Sequence, residues 1–400
     1  MKAPFPLFCF LYKNASIYQQ PLSHYKLSES FVNDAVDFVR GAKEQKKPFF
    51  LYYGTAQAHV DLYSNKDFRG SSKRGRYGDN IREMAWTIGK IMDEVKRIGE
   101  EFNTLSIFTS DNGPLISLCN EGGDAGILKG GKTQFWEGGV RVPGIFHWPG
   151  HIRPASTSDV VTSQMDIFPT LMEIVGGSVP DDRIMDGQDI SSTLFNWWPE
   201  PQPESVVKMQ LYKKPTAEAT YSEPRVLVFY CNEILYTVRF GSYKFHFNTH
   251  KTWTKEEHHA IPGRCGDGGF PLNQNIQCTG CSANQRNPPE CFKKHDPPLM
   301  YNLDKDPQEA YPLNVSLPAN KPIFEEMMNE LEKFLDKMVM APSLFADLSP
   351  SVIPCCTPES FPNCTCNYKY EGPDPPPGSA NIDTQDSQMM LNMVMTPQPP

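Results

Sequence analysis

A short apolar run cut off by Asp-Asn-Gly-Pro limits what this chain can fold into more than any other stretch. Leu105-Ser106-Ile107-Phe108-Thr109 reads as a buried strand, a brief apolar segment bounded by turn residues. Gly113 and Pro114 stop it, since neither continues a ladder. Asp111 and Asn112 therefore stand at the carboxyl end of a strand, the rim where open α/β sheets bind ligands. An Asp beside an Asn supplies two hard oxygens, suited to calcium or magnesium. The plainer reading is an Asx-turn closed by Asn-Gly. The seven glycines between Gly122 and Gly139 weigh against it, because they let backbone approach a bound anion closely. Lys129, Lys132 and Arg141 add positive charge in the same segment. Together these features favour an oxyanion site next to a cation.

The flanking chain alternates strand and helix. Ser28-Glu-Ser30 caps an expected helix with Phe31, Ala35, Phe38 and Val39 inward. Pro48 to Tyr53 is a continuous apolar run, expected as a buried parallel strand. His59 follows on the loop just past its end. Asp79 to Ile98 carries Ile81, Met84, Ile88, Ile91, Val95 and Ile98 at three- and four-residue intervals, an amphipathic helix. Gly144 to Trp148 is another strand, with His147 structural, and Asp166 to Val175 another helix. A parallel sheet covered by helices follows. Beyond Leu194 comes a proline-rich joint. Arg225–Tyr230, Glu233–Phe240 and Tyr243–Phe247 then alternate around a Gly241-Ser242 turn, an antiparallel sheet. Residues 260 to 295 read as cysteine-rich loop and Pro322 to Val339 as an amphipathic helix. The expected organisation is a catalytic unit over 1–194, a smaller Cys-rich unit over 195–370 and a disordered tail over 371–400.

A net charge of −9 argues against nucleic acid or an anionic membrane surface as partner, so the basic charge near Lys132 is a local focus. No transmembrane segment is expected. Nine of the eleven cysteines fall after residue 230. Cys278-Thr-Gly-Cys281 lacks the second pair that a zinc site needs, which leaves disulfides in an oxidising compartment. Cys355, Cys356, Cys364 and Cys366 are close enough for two bonds, 355 to 364 and 356 to 366. Three sequons, at Asn14, Asn314 and Asn363, point the same way. Pro4 to Tyr12 is too short to span a bilayer and has no clear cleavage site. It reads as a strand remnant, and the expectation is that a secretory N-terminus is missing.

Ser110-Asp-Asn-Gly113, Lys129-Gly-Gly-Lys132 and Trp136-Glu-Gly-Gly-Val-Arg-Val-Pro-Gly144 resemble the sulfatase family, in its arylsulfatase and steroid sulfatase branch. Tyr77-Gly-Asp79, Met165-Asp-Ile-Phe-Pro-Thr170 and His295-Asp-Pro-Pro-Leu-Met-Tyr301 extend the resemblance, in the same order, over most of the chain. It implies an α/β, alkaline-phosphatase/sulfatase-like mixed sheet flanked by helices, with a smaller C-terminal antiparallel-sheet domain. It implies hydrolysis of sulfate esters, carried by small molecules or glycans, in the secretory pathway (endoplasmic reticulum, Golgi, lysosome or outside the cell). In that chemistry a cysteine of a Cys-x-Pro-Ser-Arg run becomes formylglycine, whose hydrated aldehyde attacks sulfur while a divalent cation, calcium, polarises the sulfate oxygens. Asp111 and Asn112 correspond to two of four metal ligands, Lys132 to a sulfate-binding group, and His59 to a histidine in reach of the leaving oxygen. The branch pattern also ties Cys231 to the 265–291 loop. The family's opening third, with an aspartate pair and the modified cysteine, has no counterpart, and no cysteine here lies in a nucleophile motif. The expectation is a truncated arylsulfatase that does not turn over. One alternative is a non-catalytic secreted glycoprotein binding sulfate or glycan. Another is a related phosphate or phosphonate ester hydrolase, disfavoured by the Lys-Gly-Gly-Lys and Glu-Gly-Gly-Val-Arg runs.

Overall fold

The structure, a computed structural model, describes residues 11–195 except 15 and 21, and residues 224–231, 234–250 and 291–339. Strand β1 (Leu11–Lys13) pairs antiparallel with β2 (Ser16–Gln19). Helices α1 (Leu27–Glu44) and α2 (Gly75–Arg97) pack together and precede strand β3 (Ser106–Thr109). The short α3 (Glu137–Val140) leads into β4 (Gly144–His147), which pairs antiparallel with β3, Phe108 opposite Ile145. Two further helices, α4 (Ile167–Ile174) and α5 (Ser191–Leu194), close this part.

Both long helices form where apolar periodicity places them, but their buried faces differ from the expected stripes. In α1 the buried residues are Ser28, Val32, Ala35, Val39 and Ala42, while Phe38 stays exposed. In α2 the buried set is Gly78, Asp79, Asn80, Glu83, Thr87, Glu94 and Val95. Most of that face is polar. It serves loops rather than a greasy core, as described below.

The run from Pro48 to Tyr53 is extended but belongs to no strand, and all pairings among the described residues are antiparallel. The parallel strand expected there is corrected accordingly. Phe49 stacks edge-on against Phe38, at 6.4 Å between centroids. Phe50 and Tyr52 point outward at 73% and 85% exposure. Alternation is present, as in any extended backbone, but no neighbouring strand among the described residues bonds it.

The second part is an antiparallel meander of β5 (Val226–Cys231), β6 (Ile234–Phe240), β7 (Tyr243–His250) and β8 (Phe292–Asn302). Strand β8 starts inside the stretch expected as loop, at Phe292 to His295, and continues to Asn302. Helix α6 (Lys321–Lys337), with Pro322 in its first turn, covers one face. That face is Val238, Phe240, Phe245 and Met300, closed by Met327 and Leu331 of α6. Full burial of each such side chain contributes about 1.5–3 kcal/mol. Register places Val238 opposite Phe245 and Phe245 opposite Met300. Side chains alternate along a strand, so Thr237, Lys244 and His246 turn to the other face, and all three are buried.

The domain boundary expected after Leu194 adjoins residues 196–223, outside the described residues. The 371–400 tail, the Cys355–Cys366 cluster, Asn363 and the 265–281 cysteines also lie outside them. No described helix is long and apolar enough to cross a membrane.

Candidate active site

Strand β3 ends as its sequence requires, and backbone hydrogen bonds tie the residues just past its end to the glycine-rich segment. Gly113 N donates to Gly139 O at 2.9 Å, Lys132 N to Pro114 O at 2.8 Å, and Gly138 N to Lys129 O at 2.8 Å. These contacts need glycine. A Cβ on Gly113 would stand 1.9 Å from Gly138 O, and one on Gly131 would stand 2.4 Å from Pro114 O. Glycine at these positions lets two backbones touch. The Asp-Asn strand end and the Lys132 loop are thereby one unit.

Within it, Asp111 is exposed and Asn112 half-buried. Asp111 Oδ1 accepts from Asn112 N at 3.0 Å, and Asn112 Nδ2 donates to Gly113 O at 2.8 Å. The second carboxylate oxygen of Asp111 and the amide oxygen of Asn112 are left for a ligand. These are hard donors of the type calcium takes, but calcium needs six to eight oxygens. No group of three or more His, Cys, Asp or Glu able to hold a metal occurs among the described residues. The donors fit in kind and are two in number.

The two lysines behave differently. Lys129 lies 3.8 Å above the Trp136 ring and donates to Glu309 O at 3.3 Å. Burial lowers its pKa, with Glu309 and Asp306 pulling the other way. Lys132 is half-buried, with no acidic partner among the described residues. Arg141 reaches only the edge of Glu137, at 4.0 Å.

His59 lies on an exposed turn, its Nδ1 against Val60 O. Its loop is fastened to the polar face of α2. Asp79 accepts from Gly70 N and Ser72 N, each at 2.8 Å, and Glu83 accepts from Asn65 N at 3.0 Å. Asn80 Nδ2 donates to Ser64 Oγ at 2.6 Å. Burial raises the Glu83 pKa, outweighing its hydrogen bonds and the charge of Arg69, which pull the other way. The same helix end holds the other loop, since Arg76 pairs with Glu121 at 3.2 Å and Gly123 abuts Tyr77. The first turns of α2 thus brace both candidate loops.

Sequence reasoning missed two buried ionic contacts behind the site. Asp166, wholly buried, takes a capping-box role with Ser163 and accepts two hydrogen bonds from Arg225, the second at 2.6 Å. Glu137 and Glu309 meet Lys244 and His246 between the glycine-rich loop and the second sheet. The available signal was a Lys and a His alternating with aromatics in Tyr243-Lys-Phe-His-Phe247. Asn14 and Asn314 are exposed, as sequons must be, and Cys119, Cys231 and Cys291 are disulfide-bonded.

Two sequence profiles match the chain: the sulfatase family over residues 6–177 and the C-terminal region of aryl-sulfatase over residues 222–366. Similar curated proteins include an arylsulfatase of Hemicentrotus pulcherrimus, 36% identical over 91% of this chain and 59% of the relative. Human arylsulfatase H is 34% identical over 90% of this chain and 59% of its own length. Human steryl-sulfatase is 31% identical over 92% and 58%. The chain thus spans somewhat under two thirds of these relatives. Among solved structures, a sulfatase from Pseudoalteromonas sp. superposes with a TM-score of 0.57 at 22% identity, over 80% of this chain and 56% of that one. A protein of Bacteroides thetaiotaomicron, from work on glycosaminoglycan metabolism, does so at 0.53 and 26%, over 78% and 55%.

Proposed function

The chain belongs to the sulfatase family, and from that premise we propose that Asp111, Asn112, Lys132 and His59 form one side of an arylsulfatase-type site for sulfate esters. The observation that carries this reading is the backbone seam joining Pro114 to Lys132 and Gly113 to Gly139. It ties the Lys132 backbone to residues just past Asp111 and Asn112, which supports a shared rim for an ammonium group and two hard oxygen donors. Lys132 binds a sulfate oxygen through a charge-assisted hydrogen bond. His59 delivers a proton toward the leaving oxygen. Asp111 and Asn112 are the donors that would hold a divalent cation, calcium by family, which supplies Lewis-acid polarisation of the sulfate when bound.

The covalent step belongs to a group this sequence does not contain, because none of its eleven cysteines lies in a Cys-x-Pro-Ser-Arg run. The apolar surface at Phe50, Tyr52 and Ile145 supports the reading that the described residues are part of a larger sulfatase fold. The disulfides and the two exposed sequons support passage through the secretory pathway. The segment from residue 195 onward is read as a separate, smaller unit.

The test uses the purified 400-residue chain with calcium. Hydrolysis of a chromogenic aryl sulfate should stay at the level of a mock purification. Inorganic sulfate should still bind in calorimetry. Lys132→Ala should weaken it about tenfold or more, since a hydrogen bond to a charged group contributes about 1.5–3 kcal/mol. Turnover that Lys132→Ala abolishes would overturn the reading that the covalent group is absent, and sulfate binding that it leaves unchanged would overturn the assignment of Lys132.

A further inference from the structure

We infer that Glu309 is a positioning residue: with Glu137, Lys244 and His246 it forms a buried clasp by which the second sheet sets the geometry of the Lys132 loop. The inference rests on the reading of Lys132 as a sulfate group and extends it to residues far outside the rim.

The clasp is built from both sides of one gap. Glu309 Oε2 accepts from the backbone N of Glu137 at 2.6 Å. Its other oxygen takes His246 Nε2 at 2.6 Å and lies 3.6 Å from Lys244 Nζ. Its carbonyl takes Lys129 Nζ. One residue thus holds the loop at Lys129 and again at Glu137, on either side of Lys132. The Glu137 side chain answers from the loop, at 2.8 Å from Lys244 Nζ and 3.5 Å from Arg239 Nη1. Trp136 lies over His246, ring centroids 4.1 Å apart. Glu309, Lys244, His246 and Glu137 are all at most 4% exposed.

Such a cluster is poorly explained as a source of stability. Burying charges costs several kcal/mol per ion, and well-packed apolar residues often do as well. Its better-attested use is to fix one arrangement among several. Two of the three seam hydrogen bonds are made by glycine backbone, which by itself allows many conformations. Glu309 reaches its position only with a φ of +53°, a left-handed backbone that non-glycine residues seldom adopt. The strain is held there by four polar contacts, to Glu137 N, His246, Lys244 and Lys129. Lys129 is spent in the clasp, which leaves Lys132 as the lysine of this loop with no acidic partner among the described residues.

The experiment compares wild type, Glu309→Gln and Val238→Ala, all as the full chain. The Val238 side chain is fully buried in the cluster on the opposite, α6-covered face of the same sheet. The first readout is hydrogen exchange at the amides of Gly113, Lys132, Gly138 and Gly139. The second is calorimetric affinity for inorganic sulfate. Glu309→Gln should speed exchange at these four amides well beyond its effect on the α6 core. It should also weaken sulfate about tenfold or more, the scale on which outer hydrogen-bond partners tune a site. Val238→Ala should lower overall stability and leave both readouts at the loop unchanged. Equal effects from the two variants would reduce Glu309 to a fold-stabilising residue and overturn the inference. If Glu309→Gln does not fold, Arg239→Met at the half-buried margin replaces it, with the same outcomes. If wild type binds no sulfate, the functional reading fails, and exchange at the four amides still decides the clasp.

Discussion

At the scale of single residues, the molecule is distinguished by charges placed where solvent cannot reach them, and among the described histidines His246 is shifted furthest. Burial brings its pKa down to about 4, outweighing the hydrogen bond to Glu309 that pulls upward. In an unfolded chain the same imidazole titrates near about 6.5. Between these two values the unfolded state binds more protons than the folded one, so stability rises with pH and falls on acidification. The loss begins as pH drops below the unfolded value and is complete below the folded one. His24, His151 and His295 are also lowered by burial and act in the same direction. Urea unfolding at about pH 7 and about pH 4.5 should show a large drop in wild type. His246→Gln keeps a neutral donor toward Glu309 but takes up no proton. It should therefore show a smaller drop between the two conditions, whatever its stability at the higher one. A drop as large as that of wild type would assign the acid sensitivity to other groups.

At the scale of elements, the candidate site rests on a seam between loops, and glycine is what closes it. Gly113→Ala puts a methyl 1.9 Å from the backbone oxygen of Gly138, which cannot rotate aside. The expected result is a loss of about 1–3 kcal/mol, the usual cost of forced overpacking, together with loss of the rise in Tm caused by sulfate. Gly89→Ala, whose Cβ meets nothing in the middle of α2, should instead gain about 0.5–1 kcal/mol. Melting both variants with and without sulfate separates the seam from a general intolerance of alanine. The strand-turn pattern at Asp111 was readable from sequence because turn residues act locally. So were α1, α2 and α6, and the β6–β7 hairpin, whose periodicities are 3.6 and 2. Strand β8 was not, because Asp296-Pro297-Pro298 argues against a ladder, and its partner β7 lies far off in sequence. The polar underside of α2 was invisible for another reason. Apolar periodicity ignores Asp79 and Glu83, which face inward to hold loops that no pattern links to them. The run from Pro48 to Tyr53 reads as a buried strand by composition, yet burial depends on a neighbour that the run itself cannot specify.

At the scale of the whole molecule, the two parts differ in how well they are covered. The second sheet is closed on one face by α6 and on the other by the Trp136 loop. The first part leaves Phe50, Tyr52 and Ile145 at 73%, 85% and 56% exposure. Apolar surface beside unpaired extended backbone invites association between chains. Phe50→Ser combined with Tyr52→Ser should therefore lower light scattering when the chain is diluted from urea, without changing sulfate affinity. Unchanged scattering would place the sticky surface elsewhere. The clasp has a consequence in time as well. Glu137 is synthesised 172 residues before Glu309, a delay of about 9–34 s at usual rates of about 5–20 residues per second. Lys244 follows Glu137 after 107 residues, but the carboxylate that holds the Glu137 backbone comes only with Glu309. The loop that carries Lys132 is thus made well before the carboxylate that fixes its shape.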